Sequence, residues 1–495
     1  CILFNIVLSA WTVLHNDILF HTDLARDFLL FEDIVKNKPL TLIGPRSGGI
    51  SGLFHGPLWL YLNIPAFILG DGNPVIVGWF WVVLFVLYLG IVYVVAKKLF
   101  DKRVGILSIL LASAVSVGSV SGLFNPFGAV MLLPVYFYFL YRYVEEKNVF
   151  NLIISLFVLG LIIQFQMAFG IPMLFLTLLY VLYFVIKKKR IPHLLSFLIL
   201  IIPLSTHILF ELRHQFLETK SFFHYVTTNK SQKAIEIMNV VLSRLKGFFV
   251  EGLGMIGGGA WVLTGALIIF FLITLWKICT NKRIKSRNIY YLFLYLYMGF
   301  WLLTFLYKGV IWGYYYWPFL PLIIIIFSSF YKYVPKVFYT LFVCILVLSF
   351  YQNIRSIQTS VNFFAKDGSS WRFNYDLAKT IFNDAPNEFG YYIFTPDLFG
   401  YSPRYAMHYA QSKRSDKKAF PFEKKNITYL IIAPPPNDRL FLDGEWWRIN
   451  QVKITKKLLW SKRYEKGFKV EKYELDNEEL KIASDPNLIQ TLFFR

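Results

Sequence analysis

Long apolar runs alternate with short polar connections over the first 350 positions of the chain. A run of about 18 apolar residues is long enough to cross the hydrocarbon core of a bilayer. The pattern predicts about eleven spans, at 1–14, 75–96, 104–122, 127–141, 149–164, 168–186, 193–210, 256–276, 289–306, 314–330 and 335–352. The first run is short and opens at Cys1, which reads as the remainder of a longer span or, alternatively, the end of a signal sequence. From position 353 ordinary polarity returns. Trp371 to Asp384 has a helical period, Glu388 to Phe394 and Thr428 to Ala433 read as strands, and Val452 to Leu475 alternates like a hairpin broken near Lys466-Gly467. The expected fold class is mainly α: a polytopic membrane helix bundle over 1–352 and a C-terminal extracytoplasmic α/β domain over 353–495.

Two longer connections interrupt the bundle, a first external loop at 15–74 and a second at 211–255. Within the first, Leu24, Phe28, Phe31 and Val35 share one side of an amphipathic helix that could lie in the membrane interface. Gly44-Pro45-Arg46-Ser47-Gly48-Gly49 reads as a flexible turn-rich stretch, and a second short helix is expected to start at Gly56-Pro57.

Composition agrees with the pattern: 56 % of residues are hydrophobic and 16 % charged, which excludes a water-soluble multidomain globule. The net charge of +21 is an orientation signal. The loops 97–103, 141–148, 187–192, 277–288 and 331–336 hold 17 Lys and Arg against 3 acids, so the positive-inside rule makes them cytoplasmic. The 15–74 loop, the 211–255 loop and the tail then lie outside a cytoplasmic membrane, and little basicity is left for a nucleic-acid reading. Three cysteines supply no disulfide framework.

None of the 30 acids falls within an expected span, which argues against an ion-coupled carrier and gathers charged chemistry on the outer face. Phe20-His21-Thr22-Asp23-Leu24-Ala25-Arg26-Asp27 stands out there. On a helix Asp23, Arg26 and Asp27 project from neighbouring faces. A carboxylate against a low-dielectric surface becomes a competent base, and one beside a cation stays ionised and can hold a metal or a hydroxyl. The plain alternative is a set of solvated residues at a helix start.

Further along the same loop comes Gly52-Leu53-Phe54-His55-Gly56-Pro57-Leu58-Trp59-Leu60-Tyr61. With the Asp23–Asp27 cluster, Phe124-Asn125-Pro126, Phe210 to Phe216 and Tyr315 to Pro321, it resembles the GT-C membrane glycosyltransferases. The likeness is to bacterial relatives of the protein O-mannosyltransferases and the aminoarabinose transferase. It covers most of 15–325, and the tail matches only in position and size. The resemblance implies inverting transfer of a sugar from a polyprenyl-phosphate-linked donor to a hydroxyl acceptor, which could be a protein, a lipid or a glycan. It assigns Asp23 as base, with Arg26 and Asp27 orienting it or contacting the phosphate. His55 matches the histidine of a His-Pro-Pro-Leu stretch, here followed by Gly56, and Gln166 stands where relatives often have a histidine.

A lipid phosphate leaves at the outer interface, where cations must meet it. Arg213 and His214 are at that depth, with His55 as a further phosphate ligand and Lys220 and Lys308 as weaker candidates; for Arg213 the alternative is a snorkelling anchor. His207 reads as a packing residue, and Tyr314 to Trp317 as an interfacial aromatic belt or a sugar platform. No metal motif or nucleotide-phosphate loop is present, so no cofactor is compelled; Asp23 with Asp27 is the pair that could hold a divalent cation. Rival readings are a lipid-linked glycan flippase without chemistry, with Gln164, Gln166 and His207 as its thin polar path, and an assembly protein whose tail binds partners.

Overall fold

The computed structural model describes residues 1–495 apart from 38–39, 48–49, 189, 228–233, 285, 308, 398, 436–442 and 489–495. All eleven apolar segments are helical. The polar connections between them serve as caps: Asn73, Asp101 and Asn148 each accept a hydrogen bond from a first-turn backbone N–H of the helix that follows. Several segments are broken. The 104–122 run is an α-helix to Val115 and a 3₁₀ turn from Val117, and 193–210 bends by 71° around Pro203. Among the described residues, five helices are therefore long and apolar enough to cross a membrane alone: Pro74–Leu99, Pro126–Glu146, Met167–Lys187, Trp261–Thr280 and Pro335–Ser360. The bent pair makes a sixth if it is one span. The glycine run at 252–259 serves close packing, since a Cβ on Gly252 would lie 1.8 Å from the Tyr297 hydroxyl.

The first long loop, 15–74, is a structured layer. Its helix Thr22–Lys36 packs against Leu58–Leu69 on one side and against Tyr401–Ser412 of the C-terminal domain on another. Leu24, Phe28 and Phe31 are buried, Phe28 among Phe67, Trp81 and Tyr405. Val35 departs from the expectation and is exposed: it lies at the rim of an open groove with Phe67, Ile68 and Tyr409, and Ile34 is buried in its stead. Protein covers the apolar face, so the helix does not rest on lipid as an interfacial helix would.

The Pro335–Ser360 helix continues eight residues past 352, and the C-terminal domain is joined through 361–370. Five strands, β1 (Glu388–Phe394), β2 (Lys418–Pro421), β3 (Ile427–Ile432), β4 (Leu458–Arg463) and β5 (Lys469–Glu474), form one sheet in the order β2-β1-β3-β5-β4. β2, β1 and β3 run parallel, and β5 and β4 complete the sheet antiparallel. β1 and β3 are almost wholly buried because apolar residues pack on both faces of the sheet, which is why they read as continuous apolar runs. The edge strand β4 is exposed and carries Lys462 and Arg463.

The domain is bolted onto the first loop. The buried Asp17 carboxylate accepts from Ser370 Oγ at 2.5 Å, Arg372 N at 3.0 Å and Ile18 N at 2.8 Å. Phe20 N donates to Ser369 O, Ser402 Oγ donates to Phe20 O, and Thr22 Oγ1 donates to Asp397 Oδ2. Glu32 pairs with His408 at 2.8 Å, and Lys413 with Asp71.

Candidate active site

The segment 44–56 folds back on itself. Gly44 N donates to His55 O, His55 N to Pro45 O and Ser47 N to Leu53 O, so residues 44–47 are pinned, while Gly48 and Gly49 lie outside the described residues. The segment is then laid on the bundle through Gly56, whose N–H donates to Gln164 O at 2.9 Å. A Cβ there would stand 1.7 Å from Gln164 Oε1 and 2.9 Å from its Cα. Only glycine permits this approach, and it accounts for Gly56 where the related pattern has proline. Gln164 holds the contact by donating to Pro203 O and Thr206 Oγ1 at the bend of the 193–210 segment. Gln166 donates to Tyr314 O. Both glutamines thus brace neighbouring segments through their amide N–H groups, while their Oε1 atoms have no hydrogen-bond partner among the described residues.

Asp23, Arg26 and Asp27 converge. Arg26 Nη1 donates to Asp23 Oδ1 at 2.7 Å, and its Nη2 and Nε donate to Asp27 Oδ1 at 3.0 and 3.2 Å. The two acids differ sharply in exposure: the Asp23 side chain is 54 % exposed and that of Asp27 1 %. Burial pushes the Asp27 carboxyl up to about 6, against the pull of the Arg26 guanidinium and the Trp59 indole beside it. His55 lies within electrostatic reach of Arg26 and Asp23, and burial, with Arg26 and His207 adding to it, pushes its imidazole down to about 4. His21 is likewise lowered by burial. Tyr314 and, from the C-terminal domain, Tyr401 complete the surroundings of the Asp23–Arg26 pair.

This arrangement offers an accessible carboxylate hydrogen-bonded to a guanidinium, itself anchored by a second, buried carboxylate. It does not suit a divalent cation. Arg26 stands between the two acids, and among the described residues no third acid, histidine or cysteine joins them.

Residues 55–210 match the family described as dolichyl-phosphate-mannose-protein mannosyltransferase. The chain superposes on ArnT from Cupriavidus metallidurans bound to undecaprenyl phosphate, with a TM-score of 0.58 at 10 % identity over 95 % of this chain and 97 % of that one. The apo form of ArnT gives 0.57 at 11 % identity, covering 94 % and 96 %. No curated protein matches the chain significantly in sequence. The chain therefore has the fold of ArnT, and residues 55–210 carry the mannosyltransferase family match.

Two of the expected site residues lie at the end of another helix. Arg213 and His214 are exposed at the end of the Ser205–Arg213 helix, His214 packs on Phe210, and neither makes a described contact with Asp23, Arg26, Asp27 or His55. Lys220 is exposed, and Lys308 lies outside the described residues. Tyr314 and Trp317 pack on Phe124 rather than forming an open platform. Two groups near the site were missed. Glu218 is buried and hydrogen-bonded to His207 Nδ1 at 2.9 Å and to Phe54 N at 3.1 Å. Arg244, also buried, donates to the carbonyls of Thr304, Tyr307 and Gly309, which lead into the Tyr314 segment. Neither has a local signal, since each is one of several charges on its helix and nothing in the spacing marks it out.

Proposed function

We propose that the enzyme transfers a sugar from a polyprenyl-phosphate-linked donor to an acceptor hydroxyl at the extracytoplasmic face. The observation that carries this reading is the half-exposed Asp23 carboxylate gripped by Arg26, at the junction of bundle, first loop and C-terminal domain. ArnT, which shares the fold, is known with undecaprenyl phosphate bound.

In this reading Asp23 accepts the proton of the acceptor hydroxyl while that oxygen attacks the anomeric carbon. The bond from that carbon to the phosphate oxygen breaks with inversion, and polyprenyl phosphate leaves with the electron pair. Arg26 faces the developing negative charge, and Asp27 keeps the guanidinium in place. Asp23 is the better base of the two acids because a base must reach its substrate, and Asp27 is sealed. His55 is neutral and contributes a hydrogen bond, not a charge. In the same reading Arg213 and His214, exposed at the end of the Ser205–Arg213 helix, meet anionic headgroups, and the C-terminal domain, which reaches the cluster through Tyr401, lies on the acceptor side.

The test is mass spectrometry of purified protein in lipid, supplied with polyprenyl-phosphate sugars and crude acceptors, for wild type and Asp23→Asn. Loss of sugar from the lipid with wild type alone is expected. Normal turnover by Asp23→Asn would remove Asp23 from the role of base, and intact lipid in both would overturn the donor class.

A further inference from the structure

The helix that carries Asp23 starts without a side-chain cap. His21 occupies the N-cap position and its ring accepts nothing from the first turn. The N–H groups of Thr22, Asp23 and Leu24 therefore lack both an intrahelical partner and a capping oxygen, and an end of this kind frays. Asp23 and its bond to Arg26 depend on that turn keeping its shape. Three hydrogen bonds tie residues 20–22 to the C-terminal domain. Phe20 N donates to Ser369 O at 2.6 Å, Ser402 Oγ donates to Phe20 O at 2.8 Å, and Thr22 Oγ1 donates to Asp397 Oδ2 at 2.5 Å. Of the three, only the last grips the first turn itself.

Asp397 is itself fixed. Its other oxygen, Oδ1, accepts from Thr395 Oγ1 at 2.6 Å, from Phe399 N at 3.1 Å and from Gly400 N at 3.4 Å, which leaves Oδ2 for Thr22. The same turn passes through Gly400 at φ of 59° into the helix Tyr401–Ser412, which packs along Thr22–Lys36. The carboxylate that meets Thr22 is thus anchored in a turn that is in turn docked on the helix it holds.

We propose that Asp397, acting through Thr22, is a positioning residue: it fixes the first turn of the helix so that Asp23 and Arg26 keep their placement during transfer, which makes the C-terminal domain a part of the active site. For its kinetic arm this rests on the transferase reading above; its structural arm does not.

Thr22→Val keeps the shape of the side chain and removes only this bond, Thr22→Ser keeps the hydroxyl, and Asp397→Ala removes the bond together with the acceptor of its own turn. The first measurement is hydrogen exchange of the full chain in nanodiscs. The amides of 25–27 bond to the carbonyls of the turn, Ala25 N to His21 O at 2.9 Å among them, so they report its opening. Their exchange should quicken in Thr22→Val and Asp397→Ala and stay at the wild-type rate in Thr22→Ser, with β1 and β3 unchanged in Thr22→Val. Unchanged exchange over 25–27 in Thr22→Val overturns the proposal whether or not the protein transfers sugar. The second measurement is kinetic. Thr22→Val should lower kcat about tenfold, the size of one hydrogen bond's net contribution, at unchanged KM for the sugar-bearing lipid. Thr22→Ser should stay near wild type, and Thr22→Val with Asp397→Ala should be no worse than Asp397→Ala alone. A raised KM at unchanged kcat would make the pair a substrate contact, additive losses would uncouple the two residues, and a serine variant as slow as valine would remove the hydroxyl from the role; each refutes the assignment. Absence of transfer by wild type would refute the transferase reading and leave the exchange result to decide this one.

Discussion

Asp27→Asn should remove a pH dependence that the wild type owes to a single buried acid. The carboxyl lies at about 6 in the fold against an ordinary 3.8, because burial outweighs the Arg26 pair. That difference is worth about 3 kcal/mol as an order of magnitude. Its sign follows from proton binding: the folded state holds this proton more tightly than the unfolded chain. The stabilisation from Asp27 is therefore complete below about pH 4 and is lost as pH rises through about 6. Asparagine resembles the neutral acid at every pH. The variant should match wild type near pH 4.5 and exceed it in stability near pH 7.5. Activity should fall, because Arg26 loses the buried end of its grip and keeps only the exposed Asp23. Unfolding in detergent across pH 4.5–7.5, taken as the difference between the two proteins, cancels other buried acids such as Asp17. A difference that is flat with pH, or one in which wild type gains as pH rises, would refute the reasoning.

Gly56→Ala should be severe for so small a change: its methyl would sit on Gln164 atoms, including the Cα at 2.9 Å, so the loop carrying His55 must shift. A loss of about 1–3 kcal/mol is expected from overpacking, together with loss of transfer, read by thermal unfolding and the sugar-release assay. Asp17→Ala leaves the Ser370 hydroxyl and the Arg372 and Ile18 N–H groups without their acceptor. It should cost about 1–3 kcal/mol per stranded group and loosen the C-terminal domain, seen as faster hydrogen exchange over 365–375 with the bundle unaffected.

Much of this protein could be read from the order of its residues, because two of its features are local. An apolar run declares itself locally, and the eleven runs are helical, several of them broken, with five among the described residues long and apolar enough to cross a membrane alone. The helix Trp371–Asp384, the strand Glu388–Phe394 and the hairpin turn at Lys466-Gly467 likewise carry their periods and turn residues within a few positions. The Asp23-Arg26-Asp27 spacing predicted its own convergence for the same reason, since one helical turn brings them together.

The rest was decided by contacts between distant segments. The helix Tyr401–Ser412 and the strand Lys418–Pro421 were not expected, having weak periods and drawing their burial from the neighbouring sheet and the first loop. That Asp27 is sealed while Asp23 is open depends on Trp59 and the covering domain, which no periodicity contains. His55 sits beside Arg26 only because Gly56 lets its loop touch Gln164. Sequence could name which residues of the first loop carry charge; only tertiary packing sets which of them lose water, and lost water is what shifts the buried acid and imidazoles.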